Sequence, residues 1–488
     1  MKQQTGLRAQ IFRRKPAAAL MAEADARSHE GLKRALGALD LTALGIGAIV
    51  GAGIFVLTGV AAAKYAGPAI VLSFVVSGFA CAMAALCYAE FAAMIPVAGS
   101  AYSYSYATMG ELVGWIIGWD LVLEYAVGAA AVAVGWSGYL RVILEGVGIH
   151  LPVALTHAPG SAPGAIIDLP AFLIVMLITS VLYIGISESA RLNSIIVGIK
   201  LTVIGAVIVV GMFFVRPANW SPFAPMGWSG VMKGAAVIFF AYIGFDAVST
   251  AAEEVIEPNR DLPRGIMGSL LVCTVLYILV AGVLTGMVPA RMIDVNAPLA
   301  SAFVQRGMHA LSGFISLGAV AGLTSVLLVL LLGQSRIFFA ISRDGLLPPA
   351  FSRIHPRYRT PYIPTTLTGI AVGITAALLP IQEIAELTNI GTLFAFVLVC
   401  FGVWILRNVE PDLRRPFRTP LVPVVPMLGM FCCLYLMASL PVVTWIRFFA
   451  WMAIGLVIYF MYGRHHSRVD RNYTAELAAS ITIVRAQD

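Results

Sequence analysis

Apolar and polar residues are segregated into long blocks along this chain. Apolar runs of about 20 residues, the length of helix that crosses a bilayer, recur at 39–63, 68–95, 111–140, 169–187, 194–215, 231–251, 265–288, 310–338, 364–380, 388–406, 421–440 and 442–462. They predict twelve transmembrane helices joined by short polar connections. Two runs are interrupted. The first contains Gly45-Ile-Gly-Ala-Ile-Val-Gly-Ala-Gly-Ile-Phe55, where each glycine costs a continuous helix about 1 kcal/mol against alanine. Glycine at membrane depth suits either close helix packing or an unwound segment whose amides and carbonyls face a cavity. Secondary carriers hold solutes at the midplane in the second way. The sixth run contains Phe239-Phe-Ala-Tyr-Ile-Gly-Phe-Asp246, a glycine followed by a charged residue at depth.

Spans 1–5 and 6–10 read as two halves. Five is odd, so a second copy must cross the membrane in the opposite sense, which is the inverted-repeat arrangement. The two interruptions fall in matching members, spans 1 and 6. The predicted divisions are a tail at 1–38, a five-helix repeat at 39–215, a second at 231–406, two peripheral helices at 421–462 and a tail at 463–488.

Composition agrees with this division. Of 488 residues, 59% are hydrophobic and 12% charged, against about 25% charged in soluble domains, and mean hydropathy is +0.89. The chain reads as an all-α integral membrane protein. Its net charge of +7 calls for no nucleic-acid partner, because 24 of the 32 Lys and Arg fall on the side of the N-terminal tail and six on the other. Lys200 and Arg447 lie within spans. Such a bias places both termini in the cytoplasm of a multi-pass cell (inner) membrane protein. The first 38 residues carry no apolar core followed by a cleavage-like site, so no cleaved signal peptide is expected. All six cysteines lie in apolar runs, without metal-ligand or disulfide spacing.

Lys200 stands about seven residues into span 5, roughly 10 Å from the cytoplasmic edge. A charged lysine there costs about 2.5–3.5 kcal/mol or more unless paired or wet. A lysine cut off from water can hold or release its proton, so Lys200 is a candidate for proton coupling. Asp120 and Glu124 lie one turn apart on one face of span 3. Glu124, near mid-membrane, reads equally as a functional carboxyl or a protonated one that joins helices. Asp246 is expected to cap a half-helix or pair with a loop arginine. Tyr277 in span 7 and Thr324–Ser325 in span 8 are further polar groups on apolar helices. Pro96–Tyr106, with three tyrosines at period two, is expected to form an interfacial helix with aromatic anchors. Glu253–Arg264 and Ser342–Pro348 read as solvated charged loops beside the inner gate.

Together Gly45–Phe55, Pro96–Tyr106, Gly118-Trp-Asp…Glu-Tyr125, Phe240…Gly-Phe-Asp-Ala-Val-Ser249, Glu253-Glu…Gly265 and Ser342-Arg-Asp-Gly-Leu-Leu-Pro348 resemble the amino acid–polyamine–organocation superfamily. Within it the chain is similar to bacterial members of the cationic amino acid transporter family. The resemblance runs from about Leu32 to the end of span 12. It implies a leucine-transporter-type fold, with spans 1, 2, 6 and 7 moving against a scaffold, and proton-coupled uptake of L-amino acids. It further implies that the backbone amides of Gly51, Ala52 and Gly53, with Ile49 beside them, bind the substrate carboxylate. Carbonyls around Phe240 and Ile243 would receive the amine. Glu124 and Tyr277 match polar positions near the amine, and Lys200 stands where sodium-driven relatives hold an ion. One departure is Ala52, where relatives often carry Thr or Ser, so the carboxylate would rely on amides and the half-helix dipole.

The expected function is therefore proton-coupled import of L-amino acids by alternating access, with the proton as coupling ion, no other cofactor and no enzymatic chemistry. Lys200 and Glu124 are the proton-coupling candidates. Thr324 and Ser325 are expected on the side-chain wall, which favours small or medium neutral substrates with cationic ones as the alternative. The rival readings are an exchanger of amino acids or amines without net proton movement, and an amino acid sensor that transports nothing. Membrane lipid is the other expected partner, and a small accessory membrane subunit is left open.

Overall fold

The computed structural model describes residues 13–14, 36–95, 100–185, 190–252 and 255–468. Most of the two predicted tails therefore lies outside the described residues, as do short parts of three connections. Among the described residues the fold is helical, with two isolated β-bridges and no strand.

The principal helices are α1 (Ala38–Ile49), α2 (Ile70–Met94), α3 (Ser100–Thr108), α4 (Glu111–Gly146), α5 (Leu169–Ile184), α6 (Ala190–Met212), α7 (Gly227–Ile238), α8 (Pro258–Met287), α9 (His309–Arg343), α10 (Tyr362–Leu378), α11 (Ile381–Val409), α12 (Val424–Ala438) and α13 (Val442–Ile458). Seven helical stretches are long and apolar enough to cross a membrane, and α1, α5, α10 and α12 are shorter apolar helices. One of the seven, Gly53–Met94, joins the second half of the first predicted span to α2 through a turn at Gly67 (φ 60°). Large side chains such as Leu173, Leu271, Phe314, Phe431 and Ile446 point outward. Water would penalise so much exposed apolar surface, whereas lipid does not.

Local chemistry sets the helix ends. Pro258 occupies the first turn of α8, where a missing N–H costs nothing. Asp168 caps α5 by accepting from the Ala171 amide at 3.1 Å. In the middle of the bundle α4 is buried along most of its length and packs against α9 and α11, while α8 packs against α1 and α2.

Two expectations about the connections are corrected. Residues 100–108 do form a helix, but Tyr102, Tyr104 and Tyr106 are buried, with Tyr104 stacked on Phe91. They fill protein interior instead of anchoring at a lipid surface. The expected loop at 253–264 becomes helix from Pro258 onward, and Leu346 and Leu347 of the 342–348 connection are buried.

Both ends of the bundle are tied. At the arginine-rich end the Arg407 guanidinium grips Glu90 with two bonds of 2.8 and 2.9 Å, joining α11 to α2. At the opposite end Lys64 donates to Gln382 at 2.7 Å, Gln382 also contacts Tyr65, and the short helix Pro298–Val304 packs over the chain that follows α1. These contacts tie the chain that follows α1 to α11 and to the short helix Pro298–Val304.

Candidate substrate and proton site

The site grows from the two breaks. α1 stops at Ile49, Val50 is extended (φ −75°, ψ 95°), and the chain resumes at Gly53 in a wide π-helical turn. α7 stops at Ile238, tightens into a 3₁₀ turn at Phe239–Tyr242, and leaves Ile243 extended. Glycine is needed where the two breaks cross. A Cβ on Gly53 would fall 2.2 Å from the Ala241 Cα, and one on Gly244, itself at φ 115°, would fall 2.9 Å from the Ala48 carbonyl.

A helix that stops leaves its last carbonyls without amides, and at this depth no water replaces them. Side chains from other helices take that role. Lys200 on α6 donates from Nζ to the Gly47 carbonyl at 2.7 Å, and the Tyr277 hydroxyl on α8 donates to the Ile49 carbonyl at 2.9 Å. Both side chains are fully buried. Past the break, Tyr139 on α4 donates to the Phe55 carbonyl at 2.6 Å. Meanwhile the amides of Gly51, Ala52 and Gly53 make no backbone hydrogen bond among the described residues. They are a group of free donors next to the start of a helical segment, a ready anion site.

These amides border a cavity lined by Ile49, Gly51, Ala52, Gly53, Glu124, Phe240, Ile243 and Asp246, with Gly128 and Val132 of α4 and Val326, Val329 and Leu330 of α9 as its apolar wall. It offers about 40 Å³ to the centres of water-sized groups, room for roughly three waters.

The sequence-predicted residues separate into three groups. Ile49, Gly51, Ala52, Gly53, Glu124, Phe240 and Ile243 surround the cavity. Lys200 and Tyr277 sit behind it and act on the carbonyls of α1. Thr324 and Ser325 are not among the cavity residues. Thr324 bonds the Val320 carbonyl of its own helix and accepts from Trp136, and Ser325 bonds the Gly322 carbonyl. Asp246 stands at the N-cap position of a short helix, Ala247–Thr250, without a side-chain capping bond, and faces the cavity near Tyr125. The expected cap is therefore a second carboxyl in the site. Asp120, one turn from Glu124, is fully buried against Gly391, and neither of its carboxyl oxygens has a hydrogen-bond partner among the described residues.

Sequence reasoning also missed Asn389. The predicted tenth span begins at 388, which makes Asn389 a polar end residue, but α11 starts at Ile381 and buries it completely. Gln382, Glu383, Glu386 and Thr388 just before it make the start of α11 read as a polar connection, so no local signal set Asn389 apart.

Interrupted helices, free amides between them and a buried lysine on a helix-end carbonyl are the construction of a helical membrane carrier. An amino acid permease family model matches residues 36–463, and the chain belongs to that family, within the amino acid–polyamine–organocation superfamily. It is 51% identical to the branched-chain amino acid permease BcaP of Bacillus subtilis, over 95% of this chain and 100% of that protein. It is 49% identical to the methylthioribose transporter of the same organism, over 94% and 99%. It is 40% identical to the vacuolar cationic amino acid transporter 4 of Arabidopsis thaliana, over 78% of this chain and 64% of that one.

Proposed function

We propose that this protein imports neutral L-amino acids with protons by alternating access across the cell membrane, with both termini cytoplasmic. In this reading the helices form twelve spans in a leucine-transporter-type arrangement of two inverted five-helix repeats plus two peripheral helices. The observation that carries it is the Lys200–Gly47 bond of 2.7 Å, beside the free amides of Gly51, Ala52 and Gly53. The amides and the segment's positive end hold the substrate carboxylate. Carbonyls near Phe240 and Ile243, with Glu124 and Asp246, attract the amine. Protonated Lys200 holds the end of α1. Once the amine gives up its proton toward the cytoplasm the ionic attraction to the carbonyl is lost, the α1 half-helix is released, and the inner side opens.

The apolar wall of Val132, Val326, Val329 and Leu330 favours a neutral, branched side chain, in line with the name of the 51% identical relative. A second reading has one specific support. The relative of nearly equal identity is named for methylthioribose, and Glu124 with Asp246 offers acceptors for sugar hydroxyls.

The test is uptake into empty proteoliposomes under an imposed inward proton gradient. The expected result is accumulation by the wild type and its loss in Lys200→Ala, with substrate binding retained as a ligand-dependent rise in melting temperature. Normal gradient-driven uptake by the variant removes Lys200 from the mechanism. Uptake that requires preloaded substrate makes the protein an exchanger, and binding without flux makes it a sensor. The same melting assay with branched-chain and cationic amino acids and methylthioribose decides the substrate.

A further inference from the structure

The Lys200 bond has a counterpart. Asn389 on α11 donates from Nδ2 to the Ala236 carbonyl at 2.7 Å and to the Val237 carbonyl at 2.9 Å. Lys200 and its acceptor Gly47 are 153 residues apart, and so are Asn389 and Ala236. The donor distances are the same, and both acceptors lie two residues before the end of a half-helix, α1 at Ile49 and α7 at Ile238. Between the two sets every position is shifted by 189 residues, Lys200 to Asn389 and Gly47 to Ala236, and the same shift relates Tyr277, which bonds Ile49, to Tyr88 on α2, fully buried and in ring contact with Phe245.

We propose that Asn389 is the second latch of the carrier: it holds the α7 half-helix as Lys200 holds α1, but without a titratable proton, so only one of the two gates answers to pH. The inference rests on the inverted-repeat reading above and adds a positioning residue to it.

The chemistry of the two donors makes the asymmetry. Both face carbonyls at a helix C-terminus, the negative end of the dipole, where no intrahelical amide is left. An ammonium meets that end with charge and loses its attraction when it discharges. A carboxamide meets it with two fixed N–H donors and does not ionise in the physiological range. A carrier built this way releases α1 only after a proton leaves, and releases α7 whenever the substrate allows. The titratable groups near Asn389 are Glu386 on its own helix and Glu124 and Asp120 on α4, which face Thr392 and Gly391. Beside Lys200 stands the Cys273 thiol of α8. These groups remain in every variant below, and Asn389→Ala, which adds no ionisable group, shows their own contribution to the profile.

The test is substrate counterflow in proteoliposomes at matched inner and outer pH, from about pH 5 to 8, for wild type, Asn389→Ala, Asn389→Asp and Lys200→Ala. The carboxylate that Asn389→Asp introduces has no donor when ionised and faces two carbonyls; protonated, it regains one donor. The counterflow rate of Asn389→Asp relative to wild type is expected to be depressed about tenfold at pH 8, the worth of roughly one net hydrogen bond, and to recover toward one on acidification. Asn389→Ala is expected to be slowed by a pH-independent factor, with the wild-type pH profile otherwise intact. Lys200→Ala is expected to flatten that profile. A flat Asn389→Asp ratio, or Asn389→Ala at wild-type speed, overturns the latch. If Asn389→Asp does not fold, Asn389→Ala carries the decision: a changed pH profile shape or an unchanged rate refutes the proposal. A wild-type profile in Lys200→Ala strikes the proton-coupling reading instead, so the two failures are distinguishable.

Discussion

Gly53 and Ala241 touch backbone to backbone: a methyl placed on Gly53 would sit 2.2 Å from the Ala241 Cα. This contact crosses the two interrupted segments and fixes how far apart the free amides and the opposing carbonyls lie. Overpacking a tight contact costs typically about 1–3 kcal/mol, and here the neighbour is main chain with nowhere to rotate. Gly53→Ala is expected to abolish ligand-dependent stabilisation while most of the bundle still assembles. Ligand melting shifts beside size-exclusion profiles check this, and a wild-type ligand shift would mean the segments can separate at no cost.

Tyr277→Phe removes one donor and leaves the Ile49 carbonyl buried and unpaired. The expected loss is about 1–3 kcal/mol, seen as a lower melting temperature and slower uptake. Because Lys200 keeps its bond to Gly47, the pH profile should hold its shape. A flattened profile would make Tyr277 part of proton handling.

Glu90 is a buried acid held by two arginines. It accepts both prongs of Arg407 and the Thr419 amide at 2.8 Å, and Arg415 lies 3.3 Å away with its side chain only 2% exposed. Glu90→Ala leaves a buried guanidinium without its anion, so the expected destabilisation is about 3–5 kcal/mol. Glu90→Gln keeps part of the bonding but not the charge and should lose less. Apparent melting temperatures in detergent order the three proteins, and equal values for Glu90→Ala and wild type would show the pairs to be inert.

Asp168, capping α5, is pushed up to about 6 by burial, partly offset by the Ser137 hydroxyl and the Ala171 amide. Folded protein then holds a proton between about pH 4 and 6 that unfolded chain releases, so this group's contribution to stability falls as pH rises through that window. The contribution is at most about 3 kcal/mol. Asp168→Asn is expected to remove that slope from a plot of melting temperature against pH, and an unchanged slope would assign it to other groups.

Much of the site was legible in the sequence because its signals are local. Glycines at depth and Gly244 before Asp246 predict breaks in the first and sixth runs, and the breaks occur at Val50–Ala52 and Phe239–Phe245. A lysine seven residues inside an apolar run declares itself by its solvation cost alone. Thr324 and Ser325 lie outside the lining of this cavity, each with its hydroxyl bonded to a carbonyl one turn back on its own helix, a bond that needs no cavity. The tyrosines of α3 read as interfacial from their spacing. Their burial depends on Phe91 and on the end of α9, which no local pattern reveals.

What the chain determined by itself is where it leaves water, where its helices break and which side chains are too polar for their depth. Each follows from transfer and propensity costs that a residue and its near neighbours set. Only the tertiary structure decided which carbonyls those side chains serve: Lys200 on Gly47, Tyr277 on Ile49 and Asn389 on Ala236. It also turned Asp246 from a cap into a cavity wall. Those choices depend on helices distant in sequence meeting at hydrogen-bond range, and a bond of that kind is satisfied or orphaned only by packing.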